Sequence, residues 1–267
     1  MKTHAKIIEK WYKALNFPEK FDQEFYSALK NLKFDETLTF EKYDLEERDG
    51  KKNLLYFLYF CEQAQKDYDR AGMSREVLLD TLTDIVRWTE IWSEVKGELY
   101  LGELCFLQYH FKLEIFKIGR LEYFPKECYF DIPELGVKKG DTVLTVHIPK
   151  GERLTRENCE KSLRLAREFY CRHFPNKNYK CFVCTSWLLD LSLQELLSPE
   201  SGIMQFQSVF KPVYQEKADK IFRYVFRWDA TRENFIQFPA TSSFAERVKD
   251  YALLGKDFHI GGGFVKL

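Results

Sequence analysis

The chain has 267 residues, enough for one large domain or two small ones with an ample hydrophobic core. Its 41 basic and 41 acidic residues cancel, and this argues against a nucleic-acid-binding protein, which normally carries a basic excess or stripe. The N-terminus has no continuous apolar segment, and no run of about 18 uncharged apolar residues occurs anywhere. We therefore predict a cytoplasmic protein with no nucleic-acid or membrane partner.

The cysteines indicate neither a disulfide framework nor a metal site. There are seven of them, an odd and scattered set, and we predict that they are reduced and mostly buried. Cys181 and Cys184 have CxxC spacing, but positions i and i+3 of a strand point to opposite faces, so the two thiols should not converge. No His/Cys/Asp cluster has ligand spacing, and we predict no metal.

The first part of the chain has the pattern of a helical domain. Amphipathic or apolar helices are predicted over residues 7–15 and 53–69, and another helix begins at Ser74 and carries Trp88 and Trp92 in its last turns. The apolar start of the second helix requires burial on most sides. A linker-like region begins near residue 125, and we take it as the domain boundary. We therefore predict a mainly helical domain over residues 1–125 and a second domain over residues 126–267.

A complete strand–helix–strand unit lies in the second domain. Residues 142–148 alternate as a strand, and Thr155 is placed to cap a helix that runs to about His173. A second strand follows over residues 180–187. Strand, helix and strand at this length predict a crossover with two parallel, neighbouring strands.

Two further segments alternate between apolar and polar residues, as strands do. Residues 203–210 predict a strand with Gln205 and Gln207 on its polar face, which suits either a substrate groove or plain solvent exposure. Residues 221–228 predict another strand. A helix is predicted over residues 244–254, and the glycine-rich residues 258–264 are interpreted as a tail that either closes over a phosphate or makes no specific contacts.

Three segments of the second domain carry a family resemblance. They are HIPKGERLTRENCEKSLRLAREFYCRHFP, FVCTSWLLD and SGIMQFQSVF, at residues 147–175, 182–190 and 201–210. Together they resemble the C-terminal domain of a GNAT-like N-acyltransferase family found in bacteria. The resemblance implies an α+β fold in which a helical N-terminal region precedes a GNAT-like mixed β-sheet flanked by helices.

The resemblance also implies a donor site for acetyl-CoA or another acyl-CoA. Such enzymes hold the donor between two parting parallel strands, with its pyrophosphate at the N-terminus of the connecting helix, where free N–H groups and the dipole favour anions. The corresponding positions are Val146, Gly151, Arg153 and Thr155. The loop has a single glycine where the superfamily signature has more small residues, so the donor either binds differently or has been lost.

Three side chains are candidates for catalysis. His147 ends the first strand and is the candidate general base, with Asp190 as the nearest carboxylate to orient it; a structural histidine is the alternative. Asp190 is equally suited to cap the short helix that follows it. Ser186 is a candidate nucleophile or hydrogen-bond donor, although no G-x-S-x-G elbow surrounds it.

The function that follows is acyl-CoA-dependent N-acyltransfer, in which a small-molecule or peptide amine attacks the thioester directly. The alternative, from a different class, is a catalytically silent binding or interaction protein that kept the fold after losing the phosphate loop. An open cleft between the parallel strands, with N–H groups available at residues 151–156, favours the enzyme. The sequence predicts neither the acceptor, nor the length of the acyl chain, nor the oligomeric state.

Overall fold

The computed structural model describes residues 3–35 and 37–267. By contacts the chain divides into two compact units, Met1–Lys117 and Ile118–Leu267. Among the described residues, no helix combines the length and the apolar character needed to cross a bilayer.

The first unit is helical. Its helices are α1 (Thr3–Ala14), α2 (Asp22–Asn31), α3 (Gly50–Arg70), α4 (Arg75–Leu82), α5 (Asp84–Lys96) and α6 (Leu104–Phe111). The carboxylate of Asp49 caps α3 by accepting the backbone N–H of Lys52. As predicted, α3 is buried on most sides, with Leu54–Leu58 enclosed. The single helix predicted from Ser74 is in fact two helices, since α4 ends at Leu82 and α5 begins two residues later.

The second unit contains a mixed sheet with helices. Its elements are β2 (Leu121–Glu127), β3 (Thr142–His147), α7 (Arg156–His173), β4 (Cys181–Ser186), α8 (Gly202–Gln207), β5 (Lys211–Lys217), α9 (Ile221–Val225), α10 (Ser243–Leu253) and β6 (His259–Lys266). The short strand β1 (Phe116–Ile118) crosses the division between the units, and the strand order is β1-β2-β3-β4-β6-β5. The fold is therefore α+β.

The predicted crossover unit is confirmed. Strands β3 and β4 are parallel neighbours, whereas β2 with β3, β4 with β6 and β5 with β6 are antiparallel. The hydroxyl of Thr155 accepts the N–H of Asn158, 3.1 Å away, and so begins α7 at the predicted residue.

The two faces of the sheet pack differently. Helix α7 covers one face, where Ser162 accepts hydrogen bonds from the hydroxyl of Tyr123 (2.8 Å) and the N–H of Leu121 (3.1 Å). The opposite face carries an apolar cluster that includes Val143 and Val183. This division fixes the face on which each functional side chain lies.

Two predicted strands are wrong. Residues 203–210 contain α8, whose first turn is capped by Ser201, and residues 221–228 contain α9. In both segments the aromatic spacing fits a strand and a helix equally well. Phe222 is fully buried whereas Tyr224 is 52% exposed. In a helix, side chains at positions i and i+2 point about 200° apart and so lie on different sides, whereas in a strand they share one face.

The glycine-rich segment 258–264 is also not a tail. It forms most of β6, which lies between β4 and the edge strand β5 and is paired on both sides. Strand β5, which we did not predict, is an edge strand whose seven residues are nearly all exposed. Charged and polar residues on an exposed edge are typical, because they discourage pairing with other chains.

Candidate functional site

The pairing of the two parallel strands ends before the strands themselves end. Their pairing covers Leu144 with Phe182, Thr145 with Val183, and Val146 with Cys184. It ends there, although β3 continues to His147 and β4 to Ser186. The chain begins β6 at His259 at this same end of the strands, since Ser186 faces Gly261 in the β4–β6 pairing.

His147 forms a pair with Glu122. Its Nδ1 lies 2.8 Å from Oε2 of Glu122, and the histidine side chain is 35% exposed while the carboxylate is fully buried. The β2–β3 register places these two residues directly opposite each other. An ionised carboxylate only accepts, so beside ionised Glu122 the Nδ1 atom donates, and the lone pair of a neutral ring then lies on Nε2, the atom that a base uses.

The predicted pairing of His147 with Asp190 is wrong. The buried carboxylate of Asp190 accepts the backbone N–H of Ser192 (2.9 Å) and the backbone N–H of His259 (2.7 Å). It therefore caps the short 3₁₀ helix Leu191–Glu195 and anchors the start of β6. Its ring contact is with His259, whose Nδ1 lies 3.4 Å from Oδ1. This end of the sheet thus carries two histidine–carboxylate pairs.

His147 and Ser186 lie on opposite faces of the sheet. Tyr123 points toward α7, so its neighbour Glu122, with His147 opposite, points to the other face. Ser186 shares a face with Phe182, whose ring contacts that of Tyr123. The hydroxyl of Ser186 accepts the N–H of Leu188 at 3.2 Å. The two candidates therefore meet a common ligand only where β3 and β4 have separated.

The loop between β3 and α7 is open on its outer side. Residues 150–153 are exposed, including Gly151 and Arg153. Beside them, a cleft of about 660 Å³ is lined by Thr155, Arg156, Glu157, Glu160, Lys161, Arg164 and Gln205. Its cationic side chains and the N-terminus of α7 favour an anion, whereas Glu157 and Glu160 oppose one.

Gln205 and Gln207 lie on α8 and not on a strand. Gln205 accepts the backbone N–H of Arg156 (3.1 Å), so it occupies one donor at the start of α7. Gln207 is buried and donates to the carbonyls of Leu188 (2.9 Å) and Asp190 (2.8 Å). The two amides thereby connect α8 to the helix start and to the segment that follows β4.

Sequence reasoning missed Arg120. Its side chain is buried and donates to the backbone carbonyls of Pro149 and Glu152, at 2.8 and 2.6 Å. Nothing in the local pattern connects it with a loop some thirty positions later.

The β3–α7–β4 unit with its parting strands defines a GNAT-like fold. A family model described as the GNAT-like C-terminal domain matches residues 115–265, more than half of the chain. The chain belongs to this family.

Solved structures agree with this fold. An acyltransferase in complex with decanoyl-CoA and teicoplanin is 20% identical, with a TM-score of 0.76 over 97% of this chain and 87% of that chain. An acyltransferase in complex with CoA and 10C-teicoplanin gives the same values. Another, in complex with decanoyl-CoA, is 25% identical, with a TM-score of 0.70 over 96% of this chain and 78% of that chain. A search of curated proteins finds no significant match.

Proposed function

We propose that this protein transfers an acyl group from acyl-CoA to an amine. The observation that carries the proposal is the end of the β3–β4 pairing directly beside the His147–Glu122 pair. The neighbouring structures add support, because they are acyltransferases in complex with decanoyl-CoA or CoA.

The donor lies along the gap between the strands. Its pantetheine arm follows the backbone at Val146, and its phosphates lie near Gly151, Arg153 and Thr155. This placement is supported by the exposure of the loop and by the dipole and N–H groups at the start of an 18-residue helix. The thioester then reaches the edge at which both sheet faces are accessible.

The chemistry is direct aminolysis. The amine nitrogen attacks the thioester carbonyl and gives its proton to Nε2 of His147, while the buried Glu122 holds the ring and stabilises the imidazolium. The C–S bond breaks, an amide is left, and the proton held by the imidazolium passes through solvent to the CoA thiolate, which returns His147 to its neutral form. Ser186, at the end of β4 on the α7 face, is placed to donate a hydrogen bond to the departing sulfur.

The acceptor is a small-molecule or peptide-like amine. Two of the neighbouring structures contain teicoplanin or 10C-teicoplanin together with CoA or an acyl-CoA. An amine that approaches from the face of His147 meets the thioester from the side opposite α7. The donor and acceptor thus approach the separated strands from different faces.

One observation favours the alternative of a catalytically silent binding protein. The amide of Gln205 already occupies the N–H of Arg156, so one anion donor of the helix start is taken. A phosphate oxygen that binds at this N–H must displace the amide of Gln205. If no such exchange occurs, this donor of the helix start is closed to a ligand.

Calorimetry with acetyl-CoA, decanoyl-CoA and CoA tests the proposal. Wild-type protein is expected to bind with micromolar affinity, and Arg153→Glu to bind at least tenfold more weakly, about 1.4 kcal/mol. Arg172→Glu is the matched control, because it makes the same charge reversal in the last turn of α7; its affinity should stay within twofold. Failure of all three ligands to bind wild-type protein at millimolar concentration contradicts the proposal.

A further inference from the structure

The buried Arg120 holds the loop between β3 and α7 from beneath. Its Nε donates to the carbonyl of Glu152 at 2.6 Å and its Nη1 to the carbonyl of Pro149 at 2.8 Å. The residue is only 8% exposed. One rigid, planar donor fork thus fixes two peptide groups of the same loop, which a flexible lysine ammonium does not do.

These two bonds determine the direction of two backbone donors. In a trans peptide the C=O and the following N–H point in opposite directions, and the described residues contain no cis peptide. Since the carbonyls of Pro149 and Glu152 point inward at Arg120, the N–H groups of Lys150 and Arg153 point outward. Within the described chain neither N–H has a hydrogen-bond partner, and both residues are exposed.

The outward amides flank the single glycine of the loop. Gly151 lies between Lys150 and Arg153, so the backbone there is accessible at close range to a ligand. The guanidinium adds a positive charge under the same peptides, in a buried environment where water screens it less than at the surface. Two outward-pointing N–H donors above a buried cation suit a diphosphate.

We infer that Arg120 is a positioning residue that presents the backbone amides of Lys150 and Arg153 to the diphosphate of the acyl-CoA. It takes over the task that the additional small residues of the superfamily signature perform elsewhere. The inference rests on the proposed function, because it concerns the donor site of that reaction. It predicts that the backbone N–H groups of the loop contact the diphosphate. Arg120 itself does not touch the ligand but holds the loop in the conformation that binds it.

The experiment compares a donor with and without phosphates. CoA binding is measured by calorimetry on wild type, Arg120→Lys and Arg120→Met, and binding of S-acetylpantetheine by saturation-transfer NMR, which detects millimolar affinities. Both variants should bind CoA at least tenfold more weakly, while their S-acetylpantetheine signal stays within twofold of wild type. Arg167→Met is the control, because Arg167 also donates to a carbonyl, that of Lys266; it should bind CoA like wild type.

Each other outcome overturns the inference in a distinct way. Unchanged CoA affinity in both variants shows that the fork is not needed, and full recovery by Arg120→Lys shows that charge alone suffices. Equal loss of CoA and S-acetylpantetheine shows a general structural role. If wild-type protein binds no CoA, the proposed function itself fails. Urea unfolding of each variant separates a misfolded protein from a selective loss, and chemical rescue of a folded Arg120→Ala by millimolar methylguanidinium provides a second, independent measurement.

Discussion

Gly261→Ala should destabilise the fold, because the added methyl group would clash with backbone atoms. A Cβ at this position of β6 would lie 2.0 Å from the carbonyl oxygen of Leu189 and 2.4 Å from its carbon. Ordinary C···O contacts are about 3.3 Å or longer, so backbone must move by more than 1 Å. Leu189 cannot yield easily, because its carbonyl also accepts the side chain of Gln215 at 2.9 Å and its neighbour Asp190 is anchored on both oxygens.

The expected loss follows from these contacts. Overpacking against fixed atoms costs about 1–3 kcal/mol or more, and displacement of the Gln215 bond adds about 1 kcal/mol. Replacement of glycine by alanine returns about 0.4–1 kcal/mol through the unfolded state. Gly261→Ala should therefore lower the free energy of unfolding by about 3 kcal/mol. Because Leu189 follows Ser186 closely, the displacement also reaches the edge of the proposed site.

Gly263→Ala is the matched control. It lies on the same face of the same strand, but its added Cβ would meet nothing closer than 3.0 Å, so its cost should stay at about 1 kcal/mol or below. Urea unfolding followed by circular dichroism measures both variants. The reasoning is refuted if the two free energies of unfolding lie within 1 kcal/mol of each other.

Three further outcomes are expected. His147→Gln should lower kcat for acyl transfer about a hundredfold or more while acyl-CoA affinity stays within twofold in calorimetry; a loss below tenfold contradicts its role as base. Thr155→Ala should lower the free energy of unfolding in urea by about 1 kcal/mol through loss of the α7 cap, and Thr155→Ser, which keeps a hydroxyl, should not. Native protein titrated with a disulfide reagent at pH 8 should react rapidly at only the two exposed thiols, Cys105 and Cys171, because burial raises the pKa of Cys159 to about 11 and thiolate is the reactive form; a third rapid thiol contradicts this.

The sequence predicted well the part of the fold that depends on residues close together in the chain. Strand β3 alternates, Thr155 caps, and the helix ends before Pro175, so neighbouring residues contain the whole signal of the β3–α7–β4 unit. The family resemblance then supplied the direction of the strands and the parting between them.

The errors arose where short patterns are ambiguous. The aromatic residues at 206 and 210, and those at 222 and 226, are four apart, and a strand and a short helix place both members of each pair on one face. In α8 the cap at Ser201 decides, since its hydroxyl accepts the N–H of Met204. Strand β6 was missed because glycine is unfavourable in strands; here close approach of Leu189 and Phe130 excludes any side chain.

The site was predictable only in part. His147 was chosen from its position at a strand end, but its partner Glu122 is 25 residues earlier and is revealed by the β2–β3 register alone. Arg120 is likewise distant from the loop that it holds. Contacts of this kind depend on tertiary structure, and a single sequence offers no signal for them.

The place of β6 in the sheet has a consequence for the newly synthesised chain. Strands β4 and β5 leave the ribosome before β6, and residues 218–258 separate β5 from it. Until then, the buried residues of β4 have no partner on one side, and unpaired apolar edges favour association between chains. A nascent chain interrupted before residue 259 lacks the strand that joins β5 to β4, so both of those strands keep an unpaired side. Chaperone protection during this interval matters more for this topology than for a sheet whose last strand joins an edge.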